Sequence, residues 1–207
     1  MGRSVTVTGR GRASAAYDEA TLQLAASARA ANPSDATARA TYAMSQMRDA
    51  VLAAGADPAA LTTTNVSLSP VHDPWPTVVA YEASLALSVR LTDLSRVGSM
   101  LVAAVDAGGD GARVDGISFA HHDPAVLERQ ARDGAYAEAR SKAEQYAGLA
   151  GQALGEVRHI AEVEAGGGGM PKRMMAMADS AGGMPVDAGE GTVISSLTVT
   201  WALGPAV

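Results

Sequence analysis

Apolar and polar residues alternate most regularly between Val78 and Leu91. Ala80, Glu82, Ser84, Ala86, Ser88 and Arg90 fall on one face, and Val79, Tyr81, Ala83, Leu85, Leu87, Val89 and Leu91 on the other. A period of two over this length predicts a strand with one wet and one buried face. Shorter alternations predict strands over Ser4–Gly11, Ala20–Ala31, Leu61–Ser69, Arg113–Phe119, Leu154–Glu164 and Thr192–Leu203. Gly9 and Gly11 are expected to loosen the end of the first. Pro70 to Pro76 holds three further-spaced breakers (Pro70, Pro74, Pro76) and predicts a turn or hairpin loop.

Between these runs the period lengthens to that of a helix. Asn32-Pro33-Ser34-Asp35 has a capping side chain, a proline suited to the first helical position and an acid for the positive helix end. Ala40, Met44, Met47 and Val51 then share one face, and Gly55 is the expected stop. Thr92-Asp93 opens a second helix with Leu94, Val97, Leu101 and Val105 inward, closed by Gly108-Gly109. Asp123-Pro124 opens a third, reaching about Ala150, with Ala131, Ala135, Ala139, Ala143 and Ala147 in one stripe. That stripe predicts a close-packed face against a sheet, while Tyr136 and Tyr146 lie off it, free for packing or for a partner. The order ββαββαβαββ predicts an α+β fold, with a largely antiparallel sheet of about seven strands and three helices, in a single domain over 1–207. Val79, Leu85, Leu87, Val89, Leu101, Ile117, Phe119, Leu127 and Val199 are its expected core.

Composition narrows the functional classes. The chain is 207 residues, 47% hydrophobic and 18% charged, with one Phe, so its core is built from Ala, Val, Leu and Met. A net charge of −6 repels phosphate backbones and disfavours nucleic acid. The chain has no cysteine, which excludes disulfides, thiolate metal sites and a Cys nucleophile. It enters a strand pattern at once, with no leader-like segment and no apolar run of membrane-spanning length. It is therefore expected to be cytoplasmic as it stands, and periplasmic or envelope-associated if a leader precedes it.

Candidate chemistry is sparse. His121-His122-Asp123 gathers three potential ligands, with His72, Asp73 and His159 elsewhere. A metal site needs ligands converging on one point, whereas adjacent residues in extended chain diverge, and Asp123 before Pro124 reads better as a cap. Asp18-Glu19 and Glu162/Glu164 offer paired acids for acid–base work, but no base or nucleophile accompanies them, and they read as solvated charge. Gly9-Arg-Gly11 is too short for a phosphate loop. No catalytic residue, metal ligand or cofactor is assigned. The remaining feature is residues 165–191, a Met/Gly-rich loop before the last strand, with Met170, Lys172, Arg173, Met174, Met175, Met177 and Met184. Flexible thioethers adapt to irregular apolar surfaces, so these seven residues form a candidate interaction loop, with soft-metal binding and oxidant scavenging as alternatives.

Several blocks in order resemble the SIMPL domain family. These are Ser4-Val-Thr-Val-Thr-Gly9-Arg-Gly11, Tyr81 to Val89 with Leu94, Gly116-Ile-Ser-Phe119, Ala139-Arg-Ser-Lys-Ala143, Leu154-Gly155 and Val199-Thr-Trp201. The resemblance spans nearly the whole chain. It implies an envelope-associated or periplasmic setting and homo-oligomers, since one immunogenic member forms ring-like, channel-like assemblies. Some bacterial members are linked to oxidative-stress tolerance, and an animal member is a kinase adaptor. The family has no shared catalytic residues to carry over. The resulting expectation is a non-enzymatic, self-assembling interaction or stress-related scaffold. A protein partner would engage it through the Met-rich loop. The alternative is a small-ligand or metal-binding protein or enzyme using His121, His122 or His159. Purified protein is expected to carry no stoichiometric zinc or iron. One tightly held ion per chain in elemental analysis, lost in His121→Ala or His159→Ala, would favour the alternative.

Overall fold

The computed structural model describes residues 2–163 and 186–206. The elements run β1 (Ser4–Ala16), β2 (Glu19–Ala30), α1 (Pro33–Ala53), β3 (Leu61–His72), β4 (Val78–Leu91), α2 (Val97–Gly108), β5 (Ala112–Ala120), α3 (Ala125–Leu149), β6 (Gln152–Val163) and β7 (Glu190–Ala206). Among the described residues, seven strands and three α-helices thus appear in the predicted order, and every strand pairing is antiparallel. The strands are divided between two sheets, β1-β7-β6 and β3-β4-β2-β5. The chain forms two compact units, one from residues 2–16, 123–163 and 190–206, the other from residues 17–122 and 186–189. Alternation along a strand fixes which side chains share a face but not which strand lies alongside.

In the first unit α3 lies on the three-stranded sheet. Val7, Gly9, Gly11 and Ala13 of β1 are buried in strict alternation, and so are Ala131, Ala135, Ala139, Ala143 and Ala147 of α3. Contrary to expectation, Gly9 and Gly11 do not end the strand; they seat the helix. A methyl group on Gly9 would overlap the Ala135 carbonyl oxygen and come within 2.8 Å of the Ala139 side chain. One on Gly11 would overlap the Ala131 carbonyl oxygen. Val7, Leu197, Val199 and Trp201 complete this core, with Tyr136 half-buried beside Trp201 at a ring separation of 6.2 Å. Tyr146 is exposed. On the opposite face, hydroxyls pair across β1 and β7: Thr6–Thr200 at 2.8 Å, Thr8–Thr198 at 3.0 Å and Ser14–Thr192 at 2.8 Å.

The short helix-to-strand distance also admits polar ties. The Arg10 backbone N–H donates to the Glu138 carboxylate, and Lys142 Nζ donates to the Thr8 carbonyl at 3.0 Å. The Arg10 N–H, followed by Lys142, holds the Glu138 carboxyl below the usual carboxylate range. The expected ladder pairs are present, Arg140–Glu144 at 2.9 Å and Arg132–Glu128 at 3.9 Å, each worth a few tenths of a kcal/mol, about 0.2–0.5. Asp123 Oδ1 accepts the Ala125 N–H at 3.0 Å, as the capping reading requires.

In the second unit α1 and α2 pack on the four-stranded sheet. Leu22, Leu24, Met47, Val51, Leu87, Val89, Val97, Met100 and Leu101 form its core. Asn32 Oδ1 accepts the Asp35 N–H at 2.9 Å, and Gly55 turns the chain away at φ 94°. Two expected core residues are exposed. Val105 is 37% exposed, because Leu94 sits in a short 3₁₀ turn, Leu94–Arg96. The helical period restarts at Val97 and buries Val97, Met100, Leu101 and Ala104 instead. Val79 is 51% exposed, because β2 stops pairing with β4 at Ala30↔Tyr81 and the β3–β4 hairpin runs on alone. Leu85, Ile117 and Phe119 are half-buried, the last two on an outermost strand.

Substituting Gly11 by Ala is expected to lower stability by about 1–3 kcal/mol, because helix and strand must separate to admit one methyl group. A urea midpoint unchanged from the parent would show that α3 does not press on β1.

Candidate functional site

Among the described residues the chain passes from one unit to the other at Ala16/Tyr17, His122/Asp123 and Gly189/Glu190. Within the second unit, the residues bordering these passages are tied to one another. Tyr17 N–H donates to the Gly189 carbonyl at 3.2 Å, and Asp18 N–H to the Ala120 carbonyl at 3.3 Å. Asp18 Oδ1 accepts the His122 N–H at 2.7 Å, and Glu19 Oε2 lies 3.0 Å from His122 Nδ1. The Tyr17 ring packs on His121 at 4.9 Å and on Phe119 at 6.4 Å. Asp18 and Glu19, which read as solvated charge in the sequence, are therefore partnered. The signal available was their position at the head of a strand, but the partner lies about a hundred residues on, beyond the reach of local pattern.

The two adjacent histidines diverge. The His122 side chain is exposed and bound to the mostly buried Glu19 carboxylate. His121 turns toward Tyr17, and its Nε2 is buried without a hydrogen-bond partner among the described residues. His159 belongs to the other unit, on β6, and the His72 ring lies tilted against Trp75 at a ring separation of 4.4 Å. Among the described residues no three His, Asp or Glu side chains are grouped so as to hold a metal ion. The hydrogen bond and charge of Glu19, helped by Asp18 and opposed by burial and Arg90, raise the His122 pKa above its ordinary 6.5.

A second candidate is a surface. β3 is an outermost strand, and all its residues from Thr62 to Pro70 are exposed. Val66 and Leu68 are 67% and 48% exposed. Their register partners, Leu85 and Ala83, lie on the face that packs against Ala36 and Ala40 of α1. The apolar inner face of the sheet thus continues past its helical cover. The hairpin ends on Trp75, 77% exposed. From Leu61 to Ala80 the one formal charge is Asp73. β6, outermost in the other sheet, also exposes Val157, Ile160 and Val163. On the opposite face of the four-stranded sheet, Asn65, Ser67, Ser69, Glu82, Ser84 and Arg113 line a shallow, open depression. Glu82 and Arg113 are already paired there, with Arg29 at 2.8 Å and Asp115 at 3.0 Å. Sequence reading passed over the β3 surface, although its absence of charge was visible. The candidate interaction residues Met170, Lys172, Arg173, Met174, Met175, Met177 and Met184 lie outside the described residues.

The His122–Glu19 pair predicts a pH dependence. A raised folded-state pKa means that the contribution is complete below the unfolded value of about 6.5 and is lost as pH rises through the higher folded value. NMR titration should place His122 above an ordinary histidine, and Glu19→Gln should bring it down. An unshifted His122 in the parent would mean that the contact is not held in solution.

Comparison with known proteins agrees with the sequence blocks. Two curated relatives, from Brucella melitensis biotype 1 and Brucella abortus, are each described as a 26 kDa periplasmic immunogenic protein. Each is 29% identical over 216 residues, covering 96% of this chain and 84% of the relative. Among the described residues no helix is long and apolar enough to cross a membrane. The family model described as SIMPL, protein of unknown function (DUF541), matches residues 5–201, from the opening strand to Trp201, and the chain belongs to that family.

Proposed function

We propose that the chain acts as a non-catalytic scaffold of the cell envelope, a single SIMPL-like domain that assembles with its own copies and presents protein-binding surface. The observation that carries this reading is the exposure of apolar side chains on outermost strands, Val66 and Leu68 on β3 and Val157, Ile160 and Val163 on β6. Exposed apolar side chains on open strand edges mark association sites when they are not guarded by charge. The periplasmic description of the Brucella relatives supports the setting. A role in oxidative stress would run through assembly or through methionine, because the chain has no cysteine to cycle. The Met-rich loop adds adaptable contacts to such an assembly.

Native mass spectrometry is expected to find a whole-number multiple of the monomer. Deleting residues 167–185 spares Val186, which packs on the core, and Gly189, which accepts from Tyr17. The deletion should leave the melting temperature nearly unchanged and weaken assembly. A chain that stays monomeric at tens of micromolar overturns self-assembly, and a deletion variant that assembles like the parent removes the loop from it.

A further inference from the structure

We infer that Asn65 to Ser69 of β3 is the contact through which two copies of this chain pair, edge to edge and antiparallel, with Ser67 on the twofold axis. The inference rests on the self-assembly reading above and names its surface.

Among the described residues four strands are outermost in the two sheets: β1, β6, β3 and β5. β1 carries Arg10 and Arg12; β6 carries Glu156, Arg158 and Glu162; β5 carries Arg113 and Asp115. β3 alone has no Asp, Glu, Lys or Arg. Open edges present unpaired N–H and C=O groups, and charge is the usual guard against pairing with another chain. Each copy carries −6, so an edge free of charge is where two copies approach with least repulsion.

The segment is also complementary to itself. Asn65, Ser67 and Ser69 face one side of the sheet, and Val66 and Leu68 the other, as their partners on β4 show. Reversed about Ser67, the run sets Val66 against Leu68 of the second copy, Asn65 against Ser69, and Ser67 against itself. Like then meets like on both faces, and the two most exposed apolar side chains of the strand cover one another. The limits of the segment fit the same axis. The register with β4 slips at Thr64, between Thr63 and Asn65, and Pro70 has no N–H to donate. Centring on Ser67 places Thr64 opposite Pro70, so the two irregular positions coincide at each end of the ladder. An unrelated extended peptide would gain the backbone hydrogen bonds but would have no reason to match this symmetry.

The absence of cysteine makes the test direct. In this chain, Ser67→Cys would be the sole thiol. Directly opposed residues in an antiparallel pair have Cα atoms about 4.5–5.5 Å apart, within the disulfide range of about 4.4–6.8 Å. Ser69→Cys, displaced two residues from the axis, would face its counterpart at about 14 Å and cannot bridge. Ser45→Cys, exposed on α1, measures random collision. Under mild oxidation Ser67→Cys is expected to give disulfide dimer about tenfold faster than either control, given its bonding geometry. Val66→Lys with Leu68→Lys, both at exposed sites, should keep the parent melting temperature and lower the oligomer mass. If the parent assembles but Ser67→Cys cross-links no faster than Ser45→Cys, pairing through β3 is overturned while self-assembly stands. Equal cross-linking of Ser69→Cys overturns the register. A monomeric parent whose Ser67→Cys form does not cross-link overturns both.

Discussion

The backbone of α3 rests on the backbone of β1, and the first unit is built around that contact. Gly9 and Gly11 leave the strand bare where Ala131, Ala135 and Ala139 bring the helix down. Contact this close gains dispersion over many atom pairs while burying little area per residue. It also explains why a helix of modest hydrophobicity, with Arg, Lys and Glu on its outer face, is held firmly. The same proximity lets the Glu138 carboxylate reach the Arg10 backbone and Lys142 reach the Thr8 carbonyl. A larger residue at either glycine would cost the polar ties along with the packing.

The second unit fills its core differently. Leu22, Leu24, Met47, Met100 and Leu101 fill the space between sheet and helices with flexible, medium-sized side chains. Where those helices end, the apolar face of the sheet does not. Val66, Leu68, Val79 and Trp75 remain in water along the β3–β4 hairpin, in a stretch with one formal charge. Such a surface is costly for a monomer to keep, which is why the functional reading rests there rather than on the histidines.

The histidines nevertheless have a defined place. His122, Asp18 and Glu19 tie together residues of the second unit that border the passages, and the Glu19 contact raises the His122 pKa. Among the described residues no neighbouring side chains complete a metal-ligand set.

Much of the fold was legible in the sequence because its signals are local. Alternation marked Val78–Leu91 and the other strands, Asn32-Pro33 and Asp123-Pro124 marked helix starts, and the alanine stripe marked the buried face of α3. The blocks shared with the SIMPL family were legible for the same reason. What the sequence could not settle depends on neighbours distant along the chain. The pairing of β1 with β7, nearly two hundred residues apart, gave two sheets in place of one. The packing of α3 on β1 made Gly9 and Gly11 the seat of a helix rather than a loose strand end. The 3₁₀ turn before α2 moved Val105 out of the core, and the early end of β2 exposed Val79. The open edge of β3 belongs with these. A run without charge can be read from its residues, but whether another strand covers it is decided only when the sheet forms.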